Sequence, residues 1–422
     1  MYAATATQED AGAASAAAPS ASDASLTEIV VTATRRSETL SKVPVSVSAV
    51  SQSKLDELGI RSVEDLQRTV PGLRFEPGTN TISIRGIKSE AGASTTGVYI
   101  DDTPIQLLNI GYSTANAVPA IYDLERIEVL RGPQGTLFGA GAQGGVIRYI
   151  SPQPSLTEYS SNAKTELGFI DHGSPDFQAS AALGGPIVQD KVGFRVNAFY
   201  RNIGGWVDHL NYRDGTMEER DFNHGSVSGG RVAFGVAPSE RLLITPAVVI
   251  QKRSQYGTSD LNEFYSDPGR GIYQTAAAAP VPVSDEWTLP SLNVRYTFDS
   301  FEIISNTSYF DRDQKAGYDA VEYQVHYCAS FEDQIPPSIS PLVTASGIHL
   351  PIAYNPVDEV LNKQKNFTQE VRLQSTDAGS RLTWVVGMYY QHNKGYNSDI
   401  IHDPQIDSIT NVLFGLTGQQ FY

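Results

Sequence analysis

From about residue 155 onward, apolar and polar side chains alternate one for one in segments of roughly ten to fourteen residues that come in pairs. In VGFRVNAFYR, Val192, Phe194, Val196, Ala198 and Tyr200 share one face, opposite Arg195, Asn197 and Arg201. SLNVRYTFD sets Leu292, Val294, Tyr296 and Phe298 against Asn293, Arg295, Thr297 and Asp299. FTQEVRLQS sets Phe367, Val371 and Leu373 against Thr368, Glu370, Arg372 and Gln374. Nine strands are predicted, near 160–170, 176–188, 191–203, 225–237, 240–253, 288–298, 300–313, 364–376 and 380–395. Apart from the first, the links between them alternate long and short: 204–224, 254–287 and 314–363 are long, and the others are tight turns. Strands with one greasy and one wet face, joined in this way, fit a membrane barrel with a polar interior. A soluble β-sandwich would not carry structureless loops of about 50 residues. Pro246 interrupts one strand, and a bulge is expected there.

Before residue 155 the texture differs. Residues 1–27 are small and polar and cannot bury enough apolar surface to order themselves. SVEDLQRTVPG is a short-helix signal, with Ser62 as cap, Val63, Leu66 and Val70 on one face, and Pro71-Gly72 as stop. TISIRGI, GVYIDDTPI, RIEVLRG and GGVIRYI read as short strands bounded by Gly, Pro and Asp.

Composition narrows the function. A formal charge of −16 argues against a nucleic-acid partner. No apolar run is long enough for a transmembrane helix, which leaves a barrel open. The single cysteine, Cys328, excludes a disulfide framework within the chain. GAGAQG (139–144) fits a dinucleotide-binding spacing, but a strand follows it where that chemistry needs a helix. No catalytic or metal motif is present, so no enzyme activity and no cofactor are expected. The seven histidines fall on links or strand tips without metal-ligand spacing. The three long links carry five acids to two bases, five to one and six to two. Such an acidic mouth tilts the expected ligand away from strongly anionic ferric siderophores. Tyr256, Tyr265, Tyr273, Tyr318, Tyr323 and Tyr327 lie on these links; they are either ligand-stacking rings or ordinary loop aromatics.

One stretch remains. EIVVTATRR (28–36) is rich in β-branched residues, yet it follows a floppy tail with no adjacent partner strand in sequence. With the segments SIRG (83–86), VYIDDTP (98–104) and RIEVLRGPQGTLFGAGAQGGVIRYIS (126–151) behind it in order, the chain resembles TonB-dependent outer-membrane receptors. Glu28, Ile29, Val30, Val31, Thr32 and Ala33 look like the TonB box, 37–154 like the plug domain and 155–422 like part of the barrel.

The resemblance implies an α+β plug followed by an antiparallel transmembrane barrel, of which nine strands out of about 22 are present. The sequence is therefore expected to be a fragment without its signal peptide. It also implies uptake of a ferric siderophore, cobalamin or oligosaccharide, with outer-membrane lipid around the barrel. TonB, from the inner-membrane energy complex, would grip the box by adding it to its own sheet. The alternative is a plug-bearing surface receptor that binds or signals without import. A soluble β-rich binding protein would instead bury its apolar strand faces against a second sheet. Arg85 and Arg131 look like plug arginines that pair with a barrel-wall glutamate, and Glu370 is the candidate partner; the other reading pairs Glu370 with its barrel neighbour Arg372 or with a cross-strand base.

Overall fold

The computed structural model describes residues 30–402 except 37, 77–79, 90–92, 107–115, 212–213, 277–281, 320–342, 345–346, 349–356 and 378–381. The tail, Glu28, Ile29, Tyr323, Tyr327, Cys328 and the final segment lie outside the described residues. The first unit begins with β1 (Val30–Val31), β2 (Glu38–Thr39), β3 (Ser46–Ser51), α1 (Gln52–Glu57) and α2 (Val63–Leu66). Then come β4 (Leu73–Glu76), β5 (Thr81–Ile84), β6 (Thr96–Ile100), β7 (Thr103–Pro104), β8 (Arg126–Arg131), α3 (Gly135–Phe138) and β9 (Gly145–Ile150). Its main sheet has the order β3-β8-β9-β6-β7, with the β4–β5 hairpin beside it. Ser62 caps α2 by accepting from the Asp65 amide, and the buried Val63 and Leu66 turn that helix onto the sheet. GAGAQG leads into β9, so no helix N-terminus is there to meet a pyrophosphate.

The nine alternating segments form one antiparallel sheet. Its first strands are β10 (Ser160–Gly168), β11 (Asp176–Val188) and β12 (Val192–Ile203). In the following link lie β13 (Asp208–Leu210) and β14 (Met217–Glu219). Next are β15 (Gly225–Ser239), β16 (Leu242–Gln255), β17 (Gln274–Thr275), β18 (Val283–Thr297) and β19 (Phe301–Asp319). The two-residue pair β20 (Val343–Thr344) and β21 (Gly347–Ile348) precedes β22 (Val357–Ser375) and β23 (Val385–His402). The wall order is β10-β11-β12-β15-β16-β18-β19-β22-β23, with β10 and β23 as edges of the described sheet. β13, β14 and β17 make a three-stranded sheet that ties two long links together. No described helix is long and apolar enough to cross a membrane.

Burial on this wall runs opposite to that of a soluble sheet. Asn197, Arg231, Gln251, Asn306, Gln364, Asn366 and Thr368 are buried, whereas Leu183, Val232, Phe234, Ile250, Met388 and Tyr390 are exposed. No second sheet covers the apolar face among the described residues, which removes the soluble-sandwich reading. A wall with its wet side inward and greasy side outward is built for lipid. The plug packs on the wet side. Its core, with Leu66, Ile82, Val98 and Ile127, continues into the wall's Trp287, Leu289 and Phe310.

Two strand expectations change. Pro246 causes no bulge: its pairing to Leu292 stays in register, and the β15–β16 ladder only skips the pairs opposite it before resuming at Val236–Ile244. A missing N–H removes a ladder bond without requiring an extra residue. The register shift lies at Val236–Ser239 instead. β18 likewise runs through Pro290 back to Val283, and β22 starts at Val357, because both strands continue beyond the clear alternation.

Gly145 opens β9 at φ 151°, and a Cβ there would collide with the Leu130 carbonyl oxygen on β8. Gly145→Ala is expected to destabilise the plug by more than about 1 kcal/mol. Urea-dependent protease sensitivity of the plug in the intact protein measures it.

Candidate functional site

The strand-ready segment is already engaged. Val30 and Val31 pair with Thr39 and Glu38, because Thr32 to Arg36 turn the chain back, with the Arg35 amide donating to the Thr32 carbonyl at 3.0 Å and Arg35 at φ 64°. The expectation of a strand with no partner in this chain is thus corrected: a two-residue hairpin leaves no periodic signal in sequence. Val31 and Ala33 are buried among Tyr99, Leu130, Phe138, Ala142 and Val146.

Thr32 anchors the segment through polar contacts. Its amide donates to Glu128 Oε1 at 2.8 Å, and its carbonyl accepts from Arg148 Nη1 at 2.9 Å. Glu128, fully buried in β8, also receives Arg126 Nε and Arg148 Nη1, each at 2.8 Å. The next residue in the network is Asp102, in the tight β6–β7 turn that Asp101 makes possible at φ 53°. Asp102 takes three guanidiniums: Arg35 at 2.7 Å from the β1–β2 hairpin, Arg148 at 3.1 Å from the plug sheet and Arg372 at 3.2 Å from the wall. Burial pushes the Asp102 carboxyl up, but Arg372, Arg35 and Arg148 outweigh it and hold the group well below the usual carboxylate range. Burial raises neighbouring Asp101, opposed by Arg231. Arg35 also lies over the Phe138 ring at 4.4 Å.

Glu370 faces this network. It pairs with Arg372 at 3.2 Å and lies 3.6 Å from Arg35. The expected latch to Arg85 and Arg131 is therefore corrected: Arg131 reaches the Pro71 carbonyl, and Arg85 lies against Gly72 and Gly132. Strand alternation fixes the face Glu370 occupies but not which part of the plug stands opposite, and Arg35 takes that place. Sequence reading missed Arg35, Asp102, Glu128 and Arg148 as site residues. Two charges set in apolar runs of neighbouring strands, Glu128 in RIEVLR and Arg148 in GVIRYI, were the available signal.

At the opposite end, where the long links leave the wall, a cavity of about 240 Å³ lies between plug and strands. Gln251 clamps its floor, accepting from the Ala120 amide at 2.8 Å and donating to the Val118 carbonyl at 2.9 Å. Arg61, Arg201 and Arg253 line it together with Phe199, Tyr122 and Trp206, and Glu64 is its one lining acid. Arg201 is paired to Asp176 at 2.7 Å and Arg61 to Glu166, whereas Arg253 contacts Gln255 and has no carboxylate partner among the described residues. Among the described link acids, Glu218 meets His209, and Asp214 accepts from the Thr216 amide.

The described tyrosines serve the links more than the cavity. Tyr273 packs edge-on to Trp206, Tyr256 stacks on His224, and Tyr265 packs on Phe264. Among the described residues, no group of three acidic, histidine or cysteine side chains is placed to hold a metal.

Residues 39–146 match the family model of the TonB-dependent receptor plug domain. The chain is 32% identical to the pesticin receptor of Yersinia pestis over 223 residues, 50% of this chain and 30% of that protein. It is 29% identical to the ferripyoverdine receptor of Pseudomonas aeruginosa over 186 residues, 43% of this chain and 21% of that one. The match therefore spans less than a third of either receptor. The crystal structure of the ferric yersiniabactin uptake receptor from Yersinia pestis superposes with a TM-score of 0.64 at 20% identity, covering 86% of this chain and 50% of that chain, which shows a shared fold.

Asp102→Asn leaves Arg35, Arg148 and Arg372 short of a counter-charge. It is expected to weaken the hold on the β1–β2 hairpin by about 3 kcal/mol. Amide exchange at Val31 and Thr32 should then quicken more than about 100-fold. Because the folded Asp102 carboxyl sits below its unfolded value of about 3.9, its contribution is full above that pH and declines as the pH falls below it. Exchange measured at pH 7 and pH 5 should accordingly show the same protection.

Proposed function

We propose that this chain, which belongs to the TonB-dependent receptor family, works in energised uptake of a scarce nutrient across the outer membrane of a Gram-negative bacterium. One observation carries the reading: a ligand-sized pocket and an anchored box segment lie on opposite sides of the same plug. In this reading 1–27 is a tether, 28–36 the TonB box, 37–154 the plug and 155–422 wall strands whose apolar face meets lipid.

TonB would take the segment Glu28–Ala33 into its own sheet, main chain to main chain. Only two residues on each side pair in the existing hairpin, so exchanging those bonds for a partner's costs little. The firmer hold is Thr32 on Glu128 and Arg35 on Asp102. A pull on the box therefore acts on Asp102, and through it on Arg372 of the wall.

The pocket supports a metal chelate bearing oxyanion and aromatic groups. Arg253 supplies an uncompensated guanidinium, and Phe199, Tyr122 and Trp206 supply ring faces.

Deleting residues 28–33 from the full-length protein is expected to abolish uptake while leaving surface binding of ligand intact; persistent uptake would overturn the proposal. Arg253→Gln is expected to weaken surface binding of an anionic chelate about tenfold, and equilibrium titration on whole cells reads that change.

A further inference from the structure

The outward face of the wall carries a recess of its own, a cavity of about 440 Å³. On β12 and β16 the mouth pocket takes Phe199, Arg201, Gln251 and Arg253, whereas the recess takes the alternate residues Tyr200, Asn202 and Ser254. The two cavities therefore lie back to back on the same strand ends. The floor of the recess is one cross-strand row: Asn202 pairs with Ser226, Ser226 with Ser254, Ser254 with Ser284 and Ser284 with Lys315. On the side of the long links, His224 and Tyr256 form a shelf, stacked with ring centroids 5.3 Å apart at 12°, and Pro282 continues it. Tyr200 borders the recess on the side of the tight turns.

Neighbouring outward positions are filled differently. Lys363 meets Asp313 at 2.7 Å, Lys365 meets Asp311 at 3.6 Å and Lys252 meets Glu286 at 3.4 Å, so long side chains cover the strands there. Three serines in register leave a hollow instead, and among the described residues their hydroxyls have no hydrogen-bond partner. Charge is balanced around the hollow: Lys315 is paired with Glu359, and His224 lies 3.9 Å from Glu219. Recognition there falls to the serine hydroxyls, the Asn202 amide and the ring faces, a set that suits the hydroxyls and C–H faces of a sugar better than a bare phosphate.

What continues the recess points to a lipid. Toward the tight turns the outward rows become Ala198–Gly230–Ile250 and Val196–Val232–Val248, with Val232, Val248 and Ile250 exposed. On β16 the outward positions stay apolar from Ile250 to Leu242, about 26 Å along the strand, comparable to the apolar band of a membrane barrel. The recess thus sits where headgroups begin. Gly230 leaves a path for acyl chains directly beside it.

We propose that this recess seats the sugar headgroup of an outer-leaflet glycolipid, with its acyl chains lying along Gly230, Val232 and Val248. The inference needs only the outer-membrane placement of the wall and is independent of the uptake reading.

The test titrates the full-length receptor, in detergent micelles, with three probes: rough lipopolysaccharide, phosphatidylglycerol and the deacylated sugar of the same lipopolysaccharide. The lipopolysaccharide is expected to bind at least about tenfold more tightly than either of the others. Equal binding of phosphatidylglycerol would mean attraction by charge or acyl chains alone, and equal binding of the deacylated sugar would mean a site for free saccharide; either overturns the proposal. Ser254→Trp, which fills the recess, should abolish the preference, and Ser254→Thr, which keeps the hydroxyl, should retain it. Ser284→Trp fills the same space from the neighbouring strand, so that misfolding of one variant leaves the other to decide. A preference that survives the filling would overturn the recess as the site.

Discussion

The rest of the architecture depends on a wall that must keep its polar face away from lipid and yet satisfy it. An antiparallel strand offers only two faces, so committing the apolar one to the membrane leaves a lumen of amides, hydroxyls and guanidiniums. The plug supplies partners for them. Gln364 donates to the Gln106 carbonyl at 3.0 Å, Asn366 to the Pro104 carbonyl at 3.2 Å, and Arg195 pairs with Asp123. Water can replace most of these contacts at small net cost, since each is worth about 1 kcal/mol. An interface of this kind holds a plug in one place without making it permanent. The apolar contact at Trp287, Leu289 and Phe310 adds a water-tight stretch at mid-wall.

Within that interface Asp102 has a special position, because its three partners come from the β1–β2 hairpin, the plug sheet and the wall. Removing Arg35 from it leaves Arg148 and Arg372 to share the carboxylate, so displacement of the box redistributes charge across plug and wall together. Glu370 supports the same cluster from the wall side. Thr32 is thereby connected to the wall through Glu128, Arg148, Asp102 and Arg372.

Much of this was legible in the order of residues. Alternation located all nine wall strands, and Ser62 with Pro71-Gly72 marked α2, because both patterns report burial one residue at a time. The family segments located the plug. Other features were illegible for physical reasons. A two-residue hairpin such as β1–β2 has no period, α1 carries a single apolar residue, Leu55, and so shows no hydrophobic face, and the β13–β14–β17 sheet joins links far apart in sequence. The partner of Glu370 depended on the height of the plug inside the wall, which no strand pattern encodes. Net loop charge does not say which side chains line the pocket: Glu218 and Asp214 hold neighbours within a link, while Arg253 lines the cavity.

Why the box is held by ions and not by more apolar burial follows from how the two kinds of contact fail. An apolar anchor loses its hold gradually as area is exposed, and the exposed face would then invite aggregation in the periplasm. A buried ion network adds little net stability against a hydrophobic alternative, yet breaking it is costly because the remaining charges lose their partners. That combination resists small fluctuations and yields once a partner supplies enough work. Val31 and Ala33, small and buried, complete the anchor with just enough apolar contact to set its register.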